Sequence, residues 1–128
     1  MLIESSGQLI VYSKKIYVDI DPSIVQLTRI LMPKSYVHLY QPQKYKPHIS
    51  VVRHQIFDRS LVVNQLVTFT YDSDPIFGET YAWFKVYSEQ LINVRLSLGL
   101  SKTSNVSRPP NGEECFHITI GNSKWLKK

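Results

Sequence analysis

The chain has 128 residues, 43% of them hydrophobic, and a net charge of +5, which predicts one globular domain over residues 1–128. No run of about 18 apolar residues occurs, so neither a membrane-spanning helix nor a membrane partner is expected. The single cysteine, Cys115, excludes internal disulfides and a thiolate metal cluster and favours a reducing, cytoplasmic setting.

The first part of the chain predicts two strands and a helix. Residues 8–12 and 15–18 are rich in β-branched and aromatic side chains, as strands are. Asp21 and Pro22 are typical of a helix start, with Asp as the cap and Pro at the first helical position. The sequence therefore predicts a helix over residues 22–32.

Apolar side chains recur at helical spacing along this predicted helix, which predicts a buried face. They are Ile24, Leu27, Ile30 and Leu31. Pro33 ends the helix, because proline cannot continue the hydrogen-bond ladder. Residues 33–46 predict a loop, and a strand follows at about 47–53.

The second part repeats this order. Residues 66–71 and 81–87 predict strands. Ser88 is a plausible cap for a helix that ends near Gly99. A polar loop is predicted at 101–114, and a final strand follows it.

Two short segments share a pattern of histidine, isoleucine and hydroxyl residue. They are His48-Ile49-Ser50 and His117-Ile118-Thr119. Because side chains alternate faces along a strand, each histidine shares a face with its hydroxyl, and the isoleucine points the other way. Two imidazoles and two hydroxyls form a set that can move protons on both sides of a phosphate.

The spacing of the two motifs suggests an internal repeat. His48 and His117 are 69 positions apart, and the same offset carries the strand at 15–18 and the helix at 22–32 onto the later strand and helix. This predicts an α+β fold of two pseudo-symmetric β-α-β lobes. The lobes would form a bilobal cleft, with one motif strand from each.

Aromatic and basic residues near the motifs are candidates for substrate binding. On the strand 81–87, Tyr81 and Trp83 share a face, and Trp83 could stack on a base. Tyr12 occupies the place equivalent to Tyr81, and Lys46 could contact a phosphate. The alternative for Tyr81 and Trp83 is a place in the core.

Other readings of these residues are less favoured. No His-x₃-His or Cys-x₂-Cys spacing exists and no acidic residue directly adjoins either motif, so no metal and no other cofactor is expected. A nucleophilic Cys115–His117 pair is a further alternative, but residues two apart on a strand lean parallel, which suits proton exchange poorly. His38 and His54 are expected at the surface.

Two His-x-[Ser/Thr] motifs, each on a strand after a β-α unit, resemble those of the two-histidine (2H) phosphoesterase superfamily. The resemblance implies a metal-independent phosphodiesterase in which His48, Ser50, His117 and Thr119 are the catalytic residues. Ser50 departs from the commoner threonine, and Gly121-Asn122 follows the second motif where a longer apolar strand is expected.

The resemblance also implies a class of substrate. Small viral members of the superfamily degrade nucleotide immune signals (anti-CBASS enzymes), which favours a cyclic or 2′,5′-linked short oligonucleotide as substrate and implies no stable protein partner. Two alternatives stay open. One is an RNA-end enzyme that opens 2′,3′-cyclic phosphates, and the other is a non-catalytic sponge that sequesters a nucleotide.

Overall fold

The computed structural model describes residues 1–103 and 115–127, so most of the predicted loop at 101–114 lies outside the described residues. The strands are β1 (Leu2–Tyr12), β2 (Lys15–Asp19), β3 (His48–Val52), β4 (Gln65–Asp72), β5 (Ile76–Phe77), β6 (Tyr81–Tyr87) and β7 (Phe116–Asn122). The α-helices are α1 (Ser23–Leu31), α2 (Lys34–Leu39) and α3 (Glu89–Ser97). Short 3-10 helices occupy Arg59–Leu61 and Lys124–Lys127.

Six of the strands close into an antiparallel barrel. The strand order is β4-β1-β2-β3-β7-β6, and β4 pairs with β6 to complete the ring. The two-residue strand β5 adds to the edge of β6 beyond the segment that pairs with β4. The prediction of two pseudo-symmetric β-α-β lobes with a bilobal cleft is therefore wrong.

The closure of the sheet depends on a long first strand. The sequence predicted a strand at 8–12, but β1 begins at Leu2, and its first eight residues pair with β4 from Asp72 to Gln65. This ladder joins the two halves of the chain into one sheet. Gly7 lies within it, and a Cβ there would come within 2.5 Å of the Asp19 carbonyl oxygen, so β1 and β2 approach too closely for any side chain.

The helix boundaries follow from local capping. Asp21 Oδ1 accepts a hydrogen bond of 2.9 Å from the Ser23 N–H at the start of α1. Ser88 Oγ accepts from the Leu91 N–H (3.3 Å) at the start of α3, and Gly99, with φ of 76°, follows its end. These helix predictions are confirmed, whereas α2 lies inside a segment that was predicted to be a loop.

One continuous core is formed by the apolar faces of the strands, with α3 packed against β3 and β4. Of the predicted apolar face of α1, only Ile24 packs against this core. Leu27, Ile30 and Leu31 are 60%, 76% and 83% exposed, and Val25 is the buried residue of this helix. Helical spacing therefore identified α1 correctly but not the face that it buries.

Candidate functional site

The two motif strands are neighbours in the sheet. Ile49 of β3 is paired directly with Ile118 of β7 in an antiparallel ladder, and both isoleucines are fully buried in the core. The remaining motif residues alternate to the opposite face. Continued by one residue in each direction, this register sets each histidine across from the hydroxyl of the other motif, His48 by Thr119 and His117 by Ser50.

Each motif is followed by a β-bulge. Between β2 and β3 the register shifts so that Val51 is unpaired, and between β6 and β7 it shifts so that Ile120 is unpaired. Each bulge residue comes directly after a motif hydroxyl residue. Bulges of this kind re-aim neighbouring side chains and are frequent beside active sites.

An arginine from a helix holds each bulge. Arg95 of α3 is fully buried, and its Nη1 donates to the Val51 carbonyl oxygen (2.8 Å). Arg29 of α1 donates from Nη1 to the Ile120 carbonyl oxygen (3.4 Å) and, more tightly, to that of Tyr40 (2.6 Å). Burial lowers the pKa of both guanidinium groups through desolvation, although arginine stays charged in proteins.

A cavity of about 710 Å³, here called the main cavity, lies against the motif face of the sheet. All eight site residues predicted from the sequence line it: His48, Ser50, His117, Thr119, Tyr12, Lys46, Tyr81 and Trp83. Its volume is within the range of small-molecule sites, about 300–1,000 Å³. The fold thus gathers these positions at one place, while their catalytic and binding roles stay predictions.

His48 is oriented by a backbone contact. Its Nδ1 lies 2.8 Å from the Lys46 carbonyl oxygen, and because a carbonyl only accepts, Nδ1 must carry the hydrogen. The neutral ring then has its lone pair on Nε2, which is the atom able to take up or deliver a proton. The Tyr17 ring packs edge-on at 6.0 Å between centroids and restricts rotation of the imidazole.

His117 has a similar aromatic neighbour. The Trp83 indole packs edge-on against it at 6.4 Å between centroids. Trp83 is only 1% exposed, so it forms a wall beneath the histidine and offers little surface for stacking a base. Its Nε1–H is the one buried side-chain polar group without a hydrogen-bond partner among residues 1–103 and 115–127.

Exposed tyrosines supply the aromatic surface that Trp83 does not. Tyr12 and Tyr45 both line the main cavity and are 67% and 71% exposed. Tyr81 is half-buried, with the Lys124 ammonium 5.1 Å from its ring centroid. Tyr45 and Tyr17 were missed by the sequence reasoning. Tyr45 adjoins the predicted Lys46, which was the available signal.

The charge around the main cavity favours an anion. Four basic side chains and one acidic side chain line it: Lys15, Lys46, Arg53, Lys124 and Asp19. An excess of cationic groups at a concave site raises the local concentration of anionic ligands. Lys14, the neighbour of Lys15 in the chain, does not line the cavity.

The loop that carries Lys46 is tied to the end of β7. The backbones of Gln41 and Asn122 exchange hydrogen bonds of 2.8 and 2.9 Å, and the Asn122 side chain donates to that of Gln43. Gly121 permits this approach, because a Cβ there would lie 2.7 Å from the Tyr40 carbonyl oxygen. The unexpected Gly121-Asn122 sequence therefore has a structural reason.

The remaining candidates lie elsewhere. His38 and His54 are exposed and do not line the main cavity, and Cys115 is buried away from it. In the described part of the chain, no group of three or more His, Cys, Asp or Glu side chains is arranged to hold a metal ion. The described helices include none with the length and apolar character needed to cross a membrane.

Comparison with known proteins adds no assignment. No family model, curated protein or solved structure matches this chain. The fold and site define a small protein whose closed antiparallel β-barrel presents two His-x-[Ser/Thr] motifs at one basic cavity.

Proposed function

We propose that this protein is a metal-independent phosphodiesterase that cleaves a cyclic or 2′,5′-linked oligonucleotide by acid–base catalysis. The observation that carries the proposal is the meeting of His48, Ser50, His117 and Thr119 at one cavity with an excess of basic side chains. The resemblance of the motifs to those of 2H phosphoesterases supports the same reaction.

The reaction needs two proton transfers at one phosphorus. One imidazole removes a proton from the nucleophile, which is water or a neighbouring ribose hydroxyl, as its oxygen bonds to phosphorus. The other imidazole donates a proton to the oxygen whose bond to phosphorus breaks, so charge and protons balance. His48 can perform either role through Nε2, since its Nδ1 is held by the Lys46 carbonyl.

The hydroxyls stabilise the negative charge that develops on the non-bridging oxygens of the phosphate. Ser50 and Thr119 donate to the non-bridging oxygens, and these bonds strengthen as negative charge builds up in the transition state. Ser50 is 7% exposed, so its hydroxyl works in a partly water-excluded position where such a bond counts for more.

The rest of the main cavity suits the remainder of a nucleotide. Lys46 provides positive charge for a phosphate, and the exposed rings of Tyr12 and Tyr45 provide stacking surfaces for a base. Tyr81 and Lys124 both line this cavity, with the ammonium 5.1 Å from the ring centroid, and Tyr81 adds to its aromatic surface. We further propose a cytoplasmic setting and a nucleotide immune signal as substrate, as for the small viral 2H enzymes.

Product analysis tests this function directly. The protein is incubated in EDTA with cyclic dinucleotides, cyclic trinucleotides, 2′,5′-oligoadenylate and 2′,3′-cyclic mononucleotides, and the products are separated by chromatography. The proposal expects cleavage of a cyclic or 2′,5′-linked oligonucleotide. Cleavage of 2′,3′-cyclic phosphates alone would make it an RNA-end enzyme, and tight binding without cleavage would make it a sponge.

A further inference from the structure

A second cavity of about 590 Å³ adjoins the main cavity. The two share one wall, formed by the residues Gln43, Tyr45, Lys46, His48 and Thr119, which line both cavities. One residue from each catalytic motif therefore faces both spaces. A phosphate held between His48 and Thr119 has a cavity on each side.

The second cavity has the chemistry of a nucleoside site. It lies between α1 and the loop before β3, and its apolar lining includes Val25, Ile30, Pro47 and Ile120. A mostly apolar lining with a few polar groups is typical of small-molecule sites. The side-chain amide of Gln26 is the exposed polar group of α1 at this cavity and is available for the edge of a base.

Arg29 gives this cavity a fixed cationic surface. Arg29 lines the cavity, and its guanidinium is held in place by the carbonyl oxygens of Tyr40 (2.6 Å) and Val37 (3.3 Å). Burial lowers the pKa of this group. An immobilised guanidinium plane is a surface on which nucleobases stack.

We infer that the substrate carries a nucleoside on each side of the scissile phosphodiester, one in the main cavity and one in the second cavity. This inference rests on the proposed function. It makes an internucleotide linkage the target, because a 2′,3′-cyclic phosphate has a nucleoside on one side only and would leave the second cavity empty. The reacting phosphate lies where the two cavities meet, beside His48 and Thr119 of the shared wall.

Binding measurements on a catalytically disabled protein test the inference apart from turnover. In a His117→Ala background, calorimetry compares 2′,5′-linked and 3′,5′-linked diadenosine monophosphate with 2′,3′-cyclic AMP. We expect at least one dinucleotide to bind tenfold or more tightly than the mononucleotide. Equal affinities, or no binding of any of the three, would overturn the inference.

Variants of α1 locate the second nucleoside. Gln26→Trp and Ile30→Trp each place a large ring in the second cavity. Both positions are exposed, Ile30 by 76%, so neither substitution disturbs the core. We expect each to weaken dinucleotide binding at least tenfold and to leave mononucleotide binding unchanged. Leu27→Trp, on a 60% exposed residue outside both cavities, is the matched control and should change neither.

The outcomes separate this inference from the proposed function. Unchanged dinucleotide affinity in both cavity-filling variants would refute the second site, even if the wild-type protein hydrolyses dinucleotides. Selective weakening in those variants would support the second site, even if the wild-type protein proves to be a sponge without turnover.

Discussion

The buried Arg95 offers the sharpest test of how the first motif is positioned. Its Nε donates to the Ser101 carbonyl oxygen (2.7 Å), and its Nη1 donates to the Val51 carbonyl oxygen (2.8 Å) and the Gln55 side chain (2.9 Å). Val51 is the bulge residue next to Ser50. Arg95→Met keeps most of the side-chain volume and removes every one of these donors.

The structure sets the size of the effect. The buried Val51 carbonyl oxygen loses a charged donor, and a buried acceptor left without a partner costs about 1–3 kcal/mol. The Ser101 contact is only partly buried, so its loss adds less. Methionine avoids the desolvation cost of the guanidinium, which offsets part of this loss. We expect the free energy of unfolding to fall by about 2–4 kcal/mol, a large share of the roughly 5–15 kcal/mol of a typical domain.

Urea unfolding measures the stability, and steady-state kinetics at a temperature where the variant is folded measures the positioning. If the Val51 contact aims Ser50, kcat falls more than KM rises. Arg59→Met, on an exposed residue outside both cavities, is the control and should change neither quantity. A destabilised Arg95→Met protein with wild-type kcat would show that Arg95 is structural only.

Three further outcomes follow from the site. Ser50→Ala and Thr119→Val should lower kcat by an amount equal to roughly 2–4 kcal/mol of activation free energy, with little change in substrate affinity. Ser50→Thr keeps the donor and should retain activity. A changed melting temperature with unchanged kcat in the first two variants would refute the hydroxyl roles. Turnover should survive EDTA and follow a bell-shaped pH profile, because one imidazole must be neutral and the other charged; activity lost in chelator and restored by a divalent metal would contradict this. Gly121→Ala should lower the melting temperature and raise KM, because its Cβ would lie 2.7 Å from the Tyr40 carbonyl oxygen and must displace the loop that carries Lys46; unchanged KM would show that this loop does not contact substrate.

Local sequence signals predicted most of the helices and strands and the residues that lie at the candidate site. Strand parity correctly separated His48 and Ser50 from Ile49, because burial of the isoleucine leaves the alternate side chains on the other face. The caps at Asp21 and Ser88 marked the helix starts, because a short polar side chain satisfies backbone N–H groups there.

The sheet closure could not be read locally. Glu4, Ser5 and Ser6 have little strand propensity, and they become strand because β4 lies alongside them. The repeat offset compared elements along the chain, and it carried no information on which strands pair across the two halves. The two-lobe prediction failed for this reason, although the motif strands do meet.

The arginine contacts to the bulges also could not be predicted from the sequence. Arg29 and Arg95 look like ordinary helix cations in the sequence, and their role depends on carbonyl oxygens that only the fold brings near. The burial of Trp83 could not be predicted from the sequence either. Strand alternation placed its side chain on the cleft face, and it does line the main cavity, but with 1% exposure it is part of the cavity wall.

The central claim is that two histidines from different strands transfer the protons at one phosphorus. Its most direct test is kcat for His48→Ala and His117→Ala on the best substrate of the nucleotide panel, with His38→Ala, an exposed histidine outside both cavities, as the control. We predict losses of at least about 10²-fold for the two motif variants, unchanged circular dichroism, and wild-type kcat for the control. A folded His48→Ala or His117→Ala protein that turns over at close to the wild-type rate would contradict the account.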